Sequence, residues 1–127
     1  MRYVVSAMLL VAAVIHLLPI TGVVGPERLS ALYGISLDGP DLAILMRHRA
    51  VVIALVGAFM LLAAFRPRLQ ATALVVGLLS AGSFLWLAWS VGDYNARIAR
   101  VVTADVVAAI CLIVGAIAWA LSRGESK

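Results

Sequence analysis

Four apolar segments, each long enough to cross a lipid bilayer, divide this chain: Tyr3 to about Ile20, about Leu42 to Phe65, Leu69 to about Val91, and about Ile98 to Leu121. Each holds roughly 18–24 residues, and a helix rising about 1.5 Å per residue then spans a hydrocarbon core about 30 Å thick. Lipid offers no partner to an exposed backbone N–H or C=O, so segments that cross it become helices. Composition agrees. Of 127 residues, 65% are hydrophobic and 13% charged, whereas a soluble domain carries about 25% charged residues. A water-soluble fold would have too little polar surface to cover it. The expected fold is all-α: an integral membrane four-helix bundle, one transmembrane domain over residues 1–127.

The first segment has the basic start (Arg2) and apolar stretch of a signal peptide. No small-x-small cleavage site follows it, so a retained helix is expected. The one cysteine, Cys111, excludes an intramolecular disulfide and a CxxC redox centre. The ten Lys and Arg residues are scattered rather than clustered, so no nucleic-acid partner is expected.

The connections are unequal. Arg66-Pro67-Arg68 makes a tight basic turn, and Gly92-Asp93-Tyr94-Asn95 leads into the fourth segment. The loop from Thr21 to Asp41 is longer. Pro26 suits a first helical position and Gly34 the position just past a helix end. Leu29, Leu32 and Tyr33 fall on one side between them, which predicts a short interfacial helix. Asp38-Gly39-Pro40-Asp41 then turns the chain into the second segment.

Charge suggests the orientation. Arg2, Arg66, Arg68, Arg123 and Lys127 lie at one end, and Arg28, Arg47, Arg49, Arg97 and Arg100 at the other. Arg47 and Arg49 belong to the second helix rather than a loop. Discounting them favours a bacterial inner-membrane protein with both termini in the cytoplasm.

The ionisable residues inside the helices form a layer. Ala50 to Phe65 and Val106 to Leu121 are uncharged runs of equal length. Arg49 and Asp105 therefore sit at matched depth, about 24 Å from the terminal side. His16 lies at about 20 Å by the same count, and Trp86 and Trp89 fall in the same layer. At 100° per residue, Arg47 shares a stripe with Ala50, Ala54 and Ala58, Asp105 with Ala108, Ala109 and Ala116, and His16 lies near Ala12 and Ala13. Small residues mark close helix contacts in membranes. Arg47, Asp105 and His16 are therefore expected to face inward, with Arg47 and Asp105 pairing. His48 shares its face with Val51, Val52, Leu55 and Phe59, which suits lipid or a partner subunit. Arg49 points nearly opposite to Arg47 and must snorkel, meet another chain or line a wet cavity. Plainer roles exist for each: a headgroup anchor for the Arg47-His48-Arg49 cluster, a structural counter-ion for Asp105, an interhelical hydrogen bond for His16 and an aromatic belt for Trp86, Trp89 and Tyr94.

The layer suggests a site that binds an anionic or amphipathic small molecule of lipid or quinone type. The candidate ligand-binding residues are His16, Arg47, His48, Arg49, Trp86 and Asp105. No cofactor is expected. The alternative is a haem or metal site, with His16 and His48 as the two imidazoles. A small proton-coupled transporter ranks lower, because the first helix has no carboxylate. A homo-oligomer is left open, and the bilayer is the one certain partner. No catalytic residues emerge: Ser80 and Ser83 lack His and Asp partners nearby, and there is no HExxH.

Several segments resemble small four-helix bacterial membrane proteins of the DoxX-like kind and related domains of unknown function. They are Ile15-His16-Leu17-Leu18-Pro19, Ala31-Leu32-Tyr33-Gly34, Leu45-Met46-Arg47-His48-Arg49-Ala50-Val51, Ser83-Phe84-Leu85-Trp86-Leu87-Ala88 and Arg100-Val101-Val102-Thr103-Ala104-Asp105. The resemblance spans nearly the whole chain and implies the same bundle. It implies no catalytic role. Adenylyl transfer of the phosphopantetheine adenylyltransferase kind is not expected, since the chain has no Gly-His pair and no alternating βα pattern.

Overall fold

The computed structural model describes residues 2–23, 25–36 and 38–125. It is all-α, as expected. Helix α1 spans Arg2–Leu17 and continues as a 3-10 stretch over Leu18–Val23. The short helix α2 spans Pro26–Tyr33, α3 Pro40–Ala64, α4 Gln70–Val91 and α5 Ala96–Glu125. Four stretches have the length and apolarity to cross a membrane: Arg2–Ile20, Pro40–Ala64, Pro67–Val91 and Ala96–Glu125. The protein is a multi-pass membrane protein.

The side-chain distribution says the same independently. Large apolar residues point out along the spans, among them Leu55, Leu79, Ile110 and Ile117. The interior is rich in small ones, including Ala12, Ala13, Ala54, Ala63, Ala73, Ala81, Ala108 and Ala118, set among larger residues such as Leu9, Met60 and Leu112. A water-soluble bundle inverts this pattern. In lipid, large apolar groups gain nothing by turning inward, and small residues let backbones approach for van der Waals contact.

Around the bundle, α1 packs between α3 and α5, and α4 packs on α5 and α3. Among the described residues, α3 and α5 make no backbone approach to each other. Ser6 donates a hydrogen bond to the Ala64 carbonyl at 2.7 Å, tying the start of α1 to the end of α3. The termini and the Pro67 turn thus share one end of the bundle, and α2 lies at the other.

Gly57 sets the α1–α3 spacing. A Cβ there would lie 2.9 Å from Leu17 Cγ and 3.1 Å from both the Ala13 carbonyl oxygen and His16 Cβ. The two helices approach so closely because position 57 has no side chain.

The sequence places α2 well. Pro26 opens it, and Gly34 closes it in the left-handed conformation (φ 66°), with its N–H bonded to the Ser30 carbonyl at 2.8 Å. Leu29 and Tyr33 are buried against Ala50, with Ile35, Met46, Ile98 and Val101 around them. Ala50 and Met46 belong to α3 and Ile98 and Val101 to α5, so α2 wedges between the tops of the two helices that do not meet.

Asn95 latches that wedge. Its Oδ1 accepts from the N–H groups of Arg97 and Ile98, each at 2.9 Å, which caps the start of α5. Its Nδ2 donates to the carbonyls of Tyr33 at 2.9 Å and Gly34 at 3.1 Å. One amide therefore holds the ends of two helices, and its two acceptor and two donor contacts fix its orientation. Asn95→Ala is expected to cost about 1 kcal/mol from the cap alone. Thermal unfolding in detergent should begin at lower temperature, and the amides of Ser30–Gly34 should exchange hydrogen faster.

Candidate functional site

The gap between α3 and α5 is a cavity of about 820 Å³. Helical spacing supplies its walls. Arg49, Val52 and Ile53 come from α3, Ser80, Ser83, Phe84 and Leu87 from α4, and Arg97, Arg100, Val101, Ala104 and Asp105 from α5. Each set repeats at three and four residues, one face of a helix. Ile15 and His16 of α1 close the floor, and Ala31, Leu32 and Tyr33 of α2 the top. Leu32, Val52 and Leu87 line the cavity and are exposed, so the cavity is open to the outside of the bundle, beside the membrane-length helices α3 and α4.

The polar groups fall into two sets. Arg97 and Arg100 are exposed at the rim, and Arg97 donates to the Ala31 carbonyl. Arg49 and Asp105 are half-buried inside. The Arg49 guanidinium lies between two rings, 5.2 Å from the Tyr33 centroid and 5.4 Å from that of Phe84. It also donates to the Tyr33 hydroxyl. Aromatic faces attract a guanidinium electrostatically, so Arg49 is held in place before any ligand arrives. Arg49 acts on Asp105 electrostatically, but no direct ion pair joins them. An ionisable side chain within a spanning helix is costly and calls for a partner or a ligand.

His16 is committed to the fold. It is 4% exposed. Its Nδ1 lies 2.9 Å from the Ala12 carbonyl and its Nε2 3.0 Å from the Ser80 hydroxyl. A carbonyl only accepts, so Nδ1 carries the proton, and in the neutral ring Nε2 accepts from Ser80. The ring thus joins α1 to α4 beneath the cavity.

Of the six residues singled out from sequence, His16, Arg49 and Asp105 come together at the cavity. Arg47, His48 and Trp86 are exposed on the outside. The expected Arg47–Asp105 pairing is corrected: Arg49, not Arg47, shares the cavity with Asp105. The seam of α3 runs through Ala50, Ala54, Gly57 and Met60, whereas Ala58 is exposed. Ala58 lies about 20° round the helix from Arg47, whereas Met60, which is buried in the seam, lies about 20° from Arg49. His48 faces outward as expected, so it does not share the cavity with His16. Trp86 has the right depth but is 68% exposed, and the aromatic ring that α4 turns inward is Phe84. Tyr33, Ser80, Phe84, Arg97 and Arg100 were not singled out from sequence. The three- and four-residue spacing of Arg97, Arg100, Val101, Ala104 and Asp105 is the signal that marks them. Among the described residues, no group of three His, Cys, Asp or Glu side chains is placed to hold a metal ion.

Comparison with protein-family profiles, curated proteins and solved structures finds no match to this chain. The resemblance to DoxX-like proteins accordingly gains no support, and the functional reading rests on the cavity itself.

Proposed function

We propose that this protein binds an anionic amphipath in the cavity between α3 and α5, its acidic headgroup at Arg49 and its tail along the apolar wall. The observation that carries this reading is the pre-positioned guanidinium of Arg49. It sits in a cavity of about 820 Å³ whose exposed apolar lining, Val52 and Leu87, lies on membrane-length helices. Ligand cavities are about 300–1,000 Å³, mostly apolar, with a few placed polar groups. Tyr33 engages one guanidinium nitrogen, and a guanidinium has five N–H donors. The others are left to grip a phosphate or carboxylate, which guanidinium geometry suits. Arg97 and Arg100 at the rim would draw an anion towards it.

The bacterial inner membrane with both termini cytoplasmic is part of the same proposal. Arg49, Arg97 and Arg100 line the cavity. Removing them from the count of loop charges widens the excess at the terminal end, where Arg2, Arg66, Arg68 and Arg123 lie.

Native mass spectrometry of the gently solubilised full chain tests the binding reading. The expected spectrum shows the protein carrying an amphipath with a phosphate or carboxylate in its headgroup, which survives purification or rebinds when such lipids are added. A bare chain under both conditions contradicts it.

A further inference from the structure

Resting on that reading, we infer that the ligand's headgroup is zwitterionic, with its anion at Arg49 and an ammonium group at Asp105. Of the four charged side chains that line the cavity, Arg97 and Arg100 are exposed, which leaves Arg49 and Asp105 half-buried within it with no ion pair between them. Arg49 is pinned by the rings of Tyr33 and Phe84 and by the Tyr33 hydroxyl. The Asp105 carboxylate faces the cavity and has no hydrogen bond from any described residue.

A carboxylate ion only accepts hydrogen bonds, and in low dielectric it needs a donor or a cation. A purely anionic headgroup on Arg49 would bring a second negative charge towards Asp105 and oppose its own binding. A headgroup that ends in an ammonium group satisfies both side chains at once. Arg97 and Arg100 do not alter this, because they sit exposed at the rim, where water weakens their effect. The rim selects for an anion, and Asp105 adds the demand for a cation on the same headgroup. Phosphate joined to ammonium by a short linker is the simplest such group. It could come from a lipid or from a free phosphoamine, and the apolar wall formed by Val52, Phe84 and Leu87 favours the lipid.

The test uses the full chain in detergent and three probes. Two are lysolipids of equal chain length, lysophosphatidylethanolamine and lysophosphatidic acid. The third is water-soluble phosphoethanolamine. Wild type should bind the zwitterionic lysolipid about tenfold or more tightly than the acid, the scale of one charge-assisted hydrogen bond. Asp105→Asn should erase that preference by weakening the zwitterion and not the acid. Arg49→Gln should weaken both lysolipids. An unchanged thermal midpoint shows that each variant is folded; if Asp105→Asn does not fold, Asp105→Glu takes its place and should keep the preference. A wild type without preference, or a preference that persists in Asp105→Asn, overturns the zwitterion while loss in Arg49→Gln leaves the binding reading standing. Failure of both lysolipids to bind wild type overturns the binding reading as well. Phosphoethanolamine binding as tightly as the lysolipid overturns the lipid as the source.

Discussion

Gly57→Leu is expected to yield no monodisperse protein, whereas Ala58→Leu, one residue further on, folds with an unfolding midpoint near wild type. The contrast follows from the α1–α3 seam. The first atom of any side chain at position 57 would meet Leu17 Cγ at 2.9 Å and the Ala13 carbonyl oxygen at 3.1 Å. A carbonyl in the middle of a helix cannot step aside without moving α1. Extra atoms forced into a packed interior cost about 1–3 kcal/mol even where side chains can adjust, and leucine adds four carbons where the neighbour is backbone. Gly57→Ala should therefore fold with a lowered midpoint. Position 58 is exposed, and a leucine there adds apolar surface on the lipid side. Size-exclusion profiles and thermal unfolding of the three variants in one detergent decide the matter. A well-folded Gly57→Leu would mean that α1 and α3 do not pack as described.

Arg49→Ala is expected to lose the bound amphipath, while Arg47→Ala, two residues away, keeps it. Hydrogen bonds to charged groups contribute about 1.5–3 kcal/mol each. Loss of one at the headgroup therefore weakens binding about 10- to 100-fold. Arg47 carries the same charge but is exposed on the outer face of α3, so its removal changes the net charge without touching the cavity. Comparing the two variants separates a placed guanidinium from a general attraction of basic protein for acidic lipid. Equal losses in both would favour the general attraction.

The architecture was largely legible from residue order alone. Uninterrupted apolar length predicted the four spans, and Pro26 and Gly34 bracketed α2, because a fixed proline φ and a left-handed glycine have local causes. Depth was legible too. Counting back from the terminal ends put His16, Arg49 and Asp105 in one layer, since helical rise is constant.

Facing was the weaker inference. Arg47 and Arg49 differ by about 200° of rotation, and the inward face is set by whether Ala58, in line with Arg47, or Met60, in line with Arg49, packs against the neighbouring helices. An alanine looks the better helix contact until the partner helix is in place. Trp86 failed for a related reason: depth carries no information about rotation, and Phe84, two residues earlier, occupies the inward face. Tyr33 and Asn95 depend on contacts across about sixty residues of sequence, between Asn95 and the Tyr33 carbonyl. No local pattern announces such a contact. Arg97 and Arg100 looked like loop or interfacial charges because they flank Ile98, where the fourth apolar run begins, whereas the Asn95 cap starts the helix at Ala96.

The central claim is that an amphipath with a phosphate or carboxylate in its headgroup sits between α3, α4 and α5 rather than merely around the bundle. A photoactivatable phospholipid, incorporated with the full chain into lipid nanodiscs and mapped by peptide mass spectrometry, tests it most directly. The expected crosslinks concentrate on Val52–Ile53, Ser83–Leu87 and Val101–Ala104, and they diminish in Arg49→Ala but not in Arg47→Ala. Labelling spread evenly over outward residues such as Ile44, Leu55 and Ile110, and unchanged by Arg49→Ala, would contradict it.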